Sequence, residues 1–177
     1  MRYDRQRHHR HSIRLKGYDY SQAGAYFVTI CTRGNMLFLE NKVIRTIAEQ
    51  CWLEIHDHFP PVELGEWVIM PNHLHGILVI VGSDRSDVTT LTSRRGVQLN
   101  APTKSAISPC RNTLSVMIRT YKTVVTTLCR RAGYDNFGWQ RNYYEHIICH
   151  EDELNYIRQY IVDNPIKWDI DENNPNR

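Results

Sequence analysis

Met70-Pro71-Asn72-His73-Leu74-His75-Gly76 lies between two apolar runs of β type, Trp67 to Met70 and Ile77 to Val81. Side chains alternate faces along a strand, so His73 and His75 leave the backbone on one side and Leu74 on the other. Two imidazoles on one face can share a metal ion and still leave coordination positions for substrate or water. The same spacing also occurs on strands whose histidines are satisfied by ordinary hydrogen bonds, so it needs a second feature elsewhere in the chain.

Working outward, Val62 to Val81 reads as two strand halves meeting near Pro71-Asn72, a hairpin whose second strand carries the histidines. Ala25 to Thr32 is β-branched and aromatic and reads as a strand. Asn41 to Phe59 carries Ile44, Ile47, Ala48, Cys51, Trp52 and Ile55 at helical spacing and is stopped by Pro60-Pro61. Asn112 to Arg131 repeats the pattern on Leu114, Met117, Ile118, Tyr121, Val125 and Leu128, closed by Gly133. Phe137 to Cys149 is read as the last strand. The order β-α-β-β-α-β with a final helix predicts an α+β, ferredoxin-like antiparallel sheet with helices packed on one face, plus a C-terminal helix. Between the halves, Gly82 to Pro109 turns to Ser, Thr, Asp, Arg and Pro without periodicity, and is expected to be a mobile insertion over about 82–110.

The final helix is the second feature. Glu151, Asp152 and Glu153 crowd its first turn, as the positive end of the helix dipole favours, and Pro165 ends it by restricting Asn164. At i, i+4 spacing Tyr156, Tyr160 and Asn164 share one face, with Leu154, Ile157 and Ile161 as apolar anchors beside it. A tyrosine thus sits one turn from an amide able to ligate a metal.

His73-Leu74-His75 resembles the histidine-hydrophobe-histidine (HUH) motif, and Tyr160 with Asn164 resembles the nucleophile helix, of the single-tyrosine transposases that cut single-stranded DNA. Ser12 to Tyr20, Ala25 to Thr32 and Trp139 to His146 are similar to the REP-associated tyrosine transposases, so the resemblance runs from about Ser12 to Trp168 with a gap in the middle. It implies that His73, His75 and Asn164 hold Mg²⁺ or Mn²⁺ and that Tyr160, rather than its competitor Tyr156, is the nucleophile. It further implies a single-stranded DNA endonuclease and strand transferase acting on hairpin-forming repeats through a 5′-phosphotyrosine intermediate, the C-terminal helix being the nucleophile-bearing one.

Composition agrees with this. The chain has 177 residues, enough for one domain with a real core, here taken as 21–177 behind a basic arm over 1–20. Net charge is only +3, yet the cations cluster, and arginine forks match phosphate oxygens. Arg5, Arg7, Arg10, Arg14 and Lys16 beside Tyr18 form one expected DNA contact region, and Arg119, Lys122 and Arg141 a second. Five scattered cysteines without a Cys-x-x-Cys pair argue against a zinc knuckle and a secreted disulfide framework. No apolar run reaches membrane-spanning length and no signal segment is seen, so a cytoplasmic protein without a membrane partner is expected, as monomer or homodimer.

Trp139, Gln140, Arg141, Tyr143 and Tyr144 interleave rings with polar groups, which suits stacking on unpaired bases. Glu63 and Glu66, just ahead of the histidine strand, are either partners of the site or solvated. The rival reading is a non-catalytic DNA-hairpin-binding regulator derived from a transposase. An RNA-binding module would also use a ferredoxin-like sheet with exposed aromatics, but leaves His-x-His unexplained.

Overall fold

The computed structural model describes residues 19–81, 113–171 and 173–175. Arg5, Arg7, Arg10, Arg14, Lys16 and Tyr18 of the expected arm, and the expected insertion at 82–110, lie outside the described residues. Among the described residues four strands form one antiparallel sheet: β1 Gly24–Cys31, β2 Val62–Ile69, β3 His73–Ile80 and β4 Tyr144–Ile148, in the spatial order β2-β3-β1-β4. The helices are α1 Lys42–Leu53, the single turn α2 Ile55–His58, α3 Leu114–Arg131 and α4 Glu151–Asp163. This is the ferredoxin-like arrangement read from the sequence, with α4 added behind the sheet.

Local chemistry sets the ends of these elements. Asn41 caps α1, its side-chain oxygen accepting from the amides of Val43 at 3.0 Å and Ile44 at 3.3 Å. Thr113 caps α3 by accepting from Val116 at 3.4 Å. The start of α4 is held by Glu153, which accepts from the Cys149 amide at 2.9 Å and from His146 Nε2 at 2.7 Å.

The last strand is shorter than the sequence suggests: β4 begins only at Tyr144, not at Phe137. Phe137 is buried in the core instead, Trp139 makes an isolated bridge to Thr32, and Lys122 donates to the carbonyls of Gln140, Arg141 and Asn142. Those carbonyls are therefore spent on a side chain, and residues 140–142 leave the ladder as a loop.

β1 and β3 are central strands with two different faces. Tyr26, Val28 and Ile30 of β1 and Leu74 and Leu78 of β3 join Trp52 of α1 and Met117, Ile118, Tyr121 and Val125 of α3 in the main core. On the other face Phe27, Ile77 and Ile148 make a small cluster with Ile157 and Ile161 of α4. Antiparallel register carries this through each pair, with Thr29 opposite His75 and Cys31 opposite His73 on the α4 face.

Gly76 is what allows Trp52 to close on β3, since a Cβ at that position would overlap the indole ring. Gly76→Ala should lower stability by about 1–3 kcal/mol through overpacking, and Gly76→Val by more. Urea midpoints check this, and an alanine variant as stable as wild type would show that the indole has room to move.

Candidate active site on the α4 face

His73 and His75 start β3 on the α4 face, both buried, with their Nε2 atoms 3.0 Å apart. Each ring is held from behind. His73 Nδ1 lies 2.8 Å from Asn72 Oδ1, while Asn72 Nδ2 donates to the carbonyls of Asn35 at 3.1 Å and Asn173 at 2.5 Å. Because the amide nitrogen of Asn72 is committed to two carbonyls, its oxygen must face His73, and the hydrogen of that imidazole sits on Nδ1. The lone pair of His73 Nε2 is left pointing into the site. His75 Nδ1 lies 2.8 Å from the Thr29 hydroxyl, which can either give or take a hydrogen bond. When Thr29 donates, His75 Nε2–H donates to His73; when Thr29 accepts, both Nε2 lone pairs face the site together.

Tyr160 of α4 reaches the same place. Its hydroxyl is 3.4 Å from His75 Nε2, and its ring stands 5.3 Å from the His75 ring and edge-on to Phe27 at 6.1 Å. Tyr160 is 39% exposed, so its oxygen is both aimed at the histidines and open to a ligand. Tyr156, one turn earlier, is 74% exposed. Asn164, the C-cap of α4, is buried, and its side-chain oxygen has no hydrogen-bond partner among the described residues.

Asp171 was not anticipated from the sequence. Pro165 to Ile170 turns the chain back after α4 through a short 3-10 segment, Trp168–Ile170, whose indole lies 6.1 Å from the His73 ring. Asp171 then brings Oδ2 to 3.9 Å from His73 Nε2 while Oδ1 accepts from the Asn173 amide at 2.7 Å. The only sequence signal was an acidic residue after Trp168, with no periodicity to tie it to the histidines.

Burial pushes His73 down to about 4, against the opposing pull of Asp171, and burial with His73 nearby pushes His75 down to about 3. At neutral pH the Asp171–His73 approach is therefore a carboxylate beside a neutral imidazole and not an ion pair. Neutral imidazoles are the form that ligates metal. His73, His75 and Asp171 each offer one ligand atom, all within 4.8 Å of one another, and Asn164 adds a buried acceptor without a donor among the described residues. The set is rich in lone pairs and poor in cations. The 3.0 Å Nε2 separation also equals the edge between adjacent ligands on an octahedral ion with bonds of about 2.1 Å. On these observations the residues fit a divalent cation.

The second region lies on the α3 side of the sheet. Arg33, Arg119, Lys122, Arg130 and Arg141 line an open groove with Trp139 and Tyr143. Lys122 is engaged with the 140–142 carbonyls, and burial pushes its ammonium down to about 8, so it shapes the groove wall more than it offers a free charge.

The buried histidines have a measurable consequence. With a chelator present, the unfolded chain takes up protons near pH 6.5 that the folded chain refuses until about pH 4 and 3. Their contribution to stability is complete above about pH 6.5 and is lost as pH falls below it, by up to about 1.4 kcal/mol per unit for each histidine. Urea unfolding at pH 7 and pH 5 should show a smaller drop for a His73→Asn, His75→Asn double variant than for wild type. Equal drops would mean that the imidazoles are charged in the folded state.

No protein-family model matches the chain. A Haemophilus influenzae (strain Rd) protein described only as uncharacterized is 38% identical over 173 residues, spanning 93% of each chain. Among solved structures, a REP-associated tyrosine transposase bound to a REP hairpin matches with a TM-score of 0.60, over 88% of this chain and 74% of that one, at 20% identity. The resemblance read from the sequence is thus borne out as a shared fold.

Proposed function

The chain belongs to one family with the Haemophilus influenzae protein and has the fold of a REP-associated tyrosine transposase, and from that premise we propose that it cleaves and rejoins single-stranded DNA at hairpin-forming repeats, in the cytoplasm. The observation that carries the reading is the convergence of Tyr160 with His73 and His75, three residues separated by up to 87 positions in sequence, at 3.0–3.4 Å. A related fold solved with a REP hairpin supports the choice of DNA as partner.

In this reading His73 and His75, joined by Asn164 and Asp171, hold Mg²⁺ or Mn²⁺, which when bound neutralises charge developing on a scissile phosphate. Imidazole ligands suit Mn²⁺ better than Mg²⁺. Tyr160 attacks phosphorus, forming a phenolic O–P bond as the bond from phosphorus to the 3′-oxygen breaks. The proton lost by the phenol is balanced by the one gained at the released 3′-hydroxyl. The 5′-phosphotyrosine keeps the bond energy, so transfer to another 3′-end needs no nucleotide cofactor. Phe27 and the buried face of β3 hold the Tyr160 ring edge-on, so its hydroxyl does not have to search for the phosphate. Arg119 and Arg141 serve the hairpin backbone from the α3 side, with Trp139 and Tyr143 supplying ring faces.

With labelled hairpin DNA bearing a single-stranded flank and Mn²⁺, wild type should form a denaturation-resistant adduct on the 5′ side of the break. Tyr160→Phe should form none and still bind DNA, Tyr156→Phe should keep the adduct, and His73→Ala or His75→Ala should lose it while hairpin affinity survives. Adduct in Tyr160→Phe would move the nucleophile. No adduct from wild type under either metal, with hairpin binding intact, would select the non-catalytic regulator.

The groove assignment has its own test. Arg119→Ala and Arg141→Ala should each flatten the dependence of log affinity on log salt by about one unit, because each removes a phosphate contact. An unchanged slope in both would move the hairpin off this surface.

A further inference from the structure

β2 and β3 pair regularly from Val62 to Leu64 and again from Trp67 to Ile69, but between these stretches two residues, Gly65 and Glu66, stand opposite the single residue Ile77. The effect of such a bulge is to break the alternation of faces. Leu64 and Trp67 both pack against the main core, so Gly65 and Glu66 both fall on the α4 face. A Cβ at Gly65 would stand 2.9 Å from that of Ile77, so the first bulge residue has no room for a side chain and the second carries the carboxylate. Glu66 Oε2 accepts from Arg158 Nε of α4 at 2.9 Å, across a cleft lined by Leu64, Trp67, Val68, Ile161 and Val162.

We propose that Glu66 and Arg158 are positioning residues that fix the roll of α4 and thereby hold the Tyr160 hydroxyl on the histidine pair. This deepens the strand-transfer reading above and rests on it for its activity arm. Only Ile157 and Ile161 of α4 are buried in the small cluster beneath the helix, with Leu154 packed at its edge, and so narrow an apolar stripe does little to fix the roll of the helix about its own axis. At about 100° per residue, Arg158 lies to one side of that stripe and Tyr160 to the other. A tie at Arg158 therefore acts as a stay on the flank opposite the tyrosine. At an outer radius of about 5 Å, a roll of about 15° displaces a side chain by more than 1 Å, and misplacement of that size can cost about 100-fold in rate. The pair is half-exposed, so its loss should scarcely affect overall stability. Large effect on placement with small effect on folding distinguishes a stay from a structural salt bridge.

The test uses the full chain with Glu66→Gln, Arg158→Gln and the swapped pair Glu66→Arg with Arg158→Glu. Each single variant should slow single-turnover adduct formation at saturating hairpin DNA by about tenfold or more, with hairpin affinity within twofold and thermal midpoint unchanged, and the swap should restore most of the rate. The Tyr160 ring stands 5.3 Å from the His75 ring, so a roll of α4 alters its ring-current effect there. The imidazole proton and carbon NMR shifts of His75, measured without DNA or metal, should move in both single variants and return in the swap. Unchanged His75 shifts overturn the proposal. So does an unchanged adduct rate in both singles. If wild type makes no adduct, the function reading fails by itself, and the NMR arm still decides whether this pair holds the helix.

Discussion

Two buried imidazole nitrogens 3.0 Å apart are the constraint around which the rest of this molecule is arranged. Taking polar rings out of water costs free energy unless every nitrogen finds a partner, and here each ring is answered on its inner side by a side chain from the preceding turn or the neighbouring strand. Thr29 answers His75 because β1 and β3 are registered with these two residues opposite each other. Asn72 answers His73, but an amide can aim its oxygen only if its nitrogen is also occupied, which requires the carbonyls of Asn35 and Asn173. The turn after β1 and the segment after α4 are thus both drawn to the start of β3. Asn35, at φ 54°, takes a left-handed conformation that its residue type tolerates, and its side-chain oxygen accepts from Gln140 at 2.6 Å. A continuous set of hydrogen bonds runs from the loop at the groove through Asn35 and Asn72 to His73.

The second requirement is that β3 serve two cores at once. Leu74, Leu78 and Ile80 face the large core beneath α1 and α3, and His73, His75 and Ile77 face α4. With histidines on one side and a tryptophan pressing on the other, the residue between must be minimal, and Gly76 is. The chemistry on one face therefore limits which residues the other can hold. This separates duties: the α1–α3 face carries most of the buried apolar surface, whereas α4 rides on a cluster of five buried residues.

Much of this was legible in the sequence, and what was not shares a cause. The histidine strand, both long amphipathic helices, the hairpin and the tyrosine helix announce themselves through short-range periodicity, and their order is sufficient for the ferredoxin-like sheet. Helical spacing places Tyr156, Tyr160 and Asn164 on one face, and the resemblance to the tyrosine transposases singles out Tyr160 and Asn164 among them. Asp171 and the Glu66–Arg158 pair could not be named, because each depends on a non-repeating event: a turn after Pro165 in one case and a single extra residue in β2 in the other. Glu66 could be suspected of serving the site, but its partner could not be chosen without the bulge that turns it over. The strand expected from Phe137 failed for a similar reason, since the Lys122 ammonium that captures the 140–142 carbonyls arrives from a distant helix.

The candidate site and most of the buried apolar surface therefore lie on opposite sides of one sheet. Helix α4 has a shallow apolar footing, an acidic first turn fixed by Glu153, a flank tied by Arg158 and a C-terminal amide whose oxygen is buried without a donor among the described residues. A buried acceptor without a donor among the described residues costs free energy, and the large core, built on the other face without an α4 residue, offsets it. A tyrosine placed on a lightly anchored helix can also move without unravelling the sheet that holds the histidines. A more deeply buried α4 would hold Tyr160 more rigidly, but it would leave less of the ring exposed than its present 39%. The polar stay on its outer flank gives direction to the tyrosine without that loss of access.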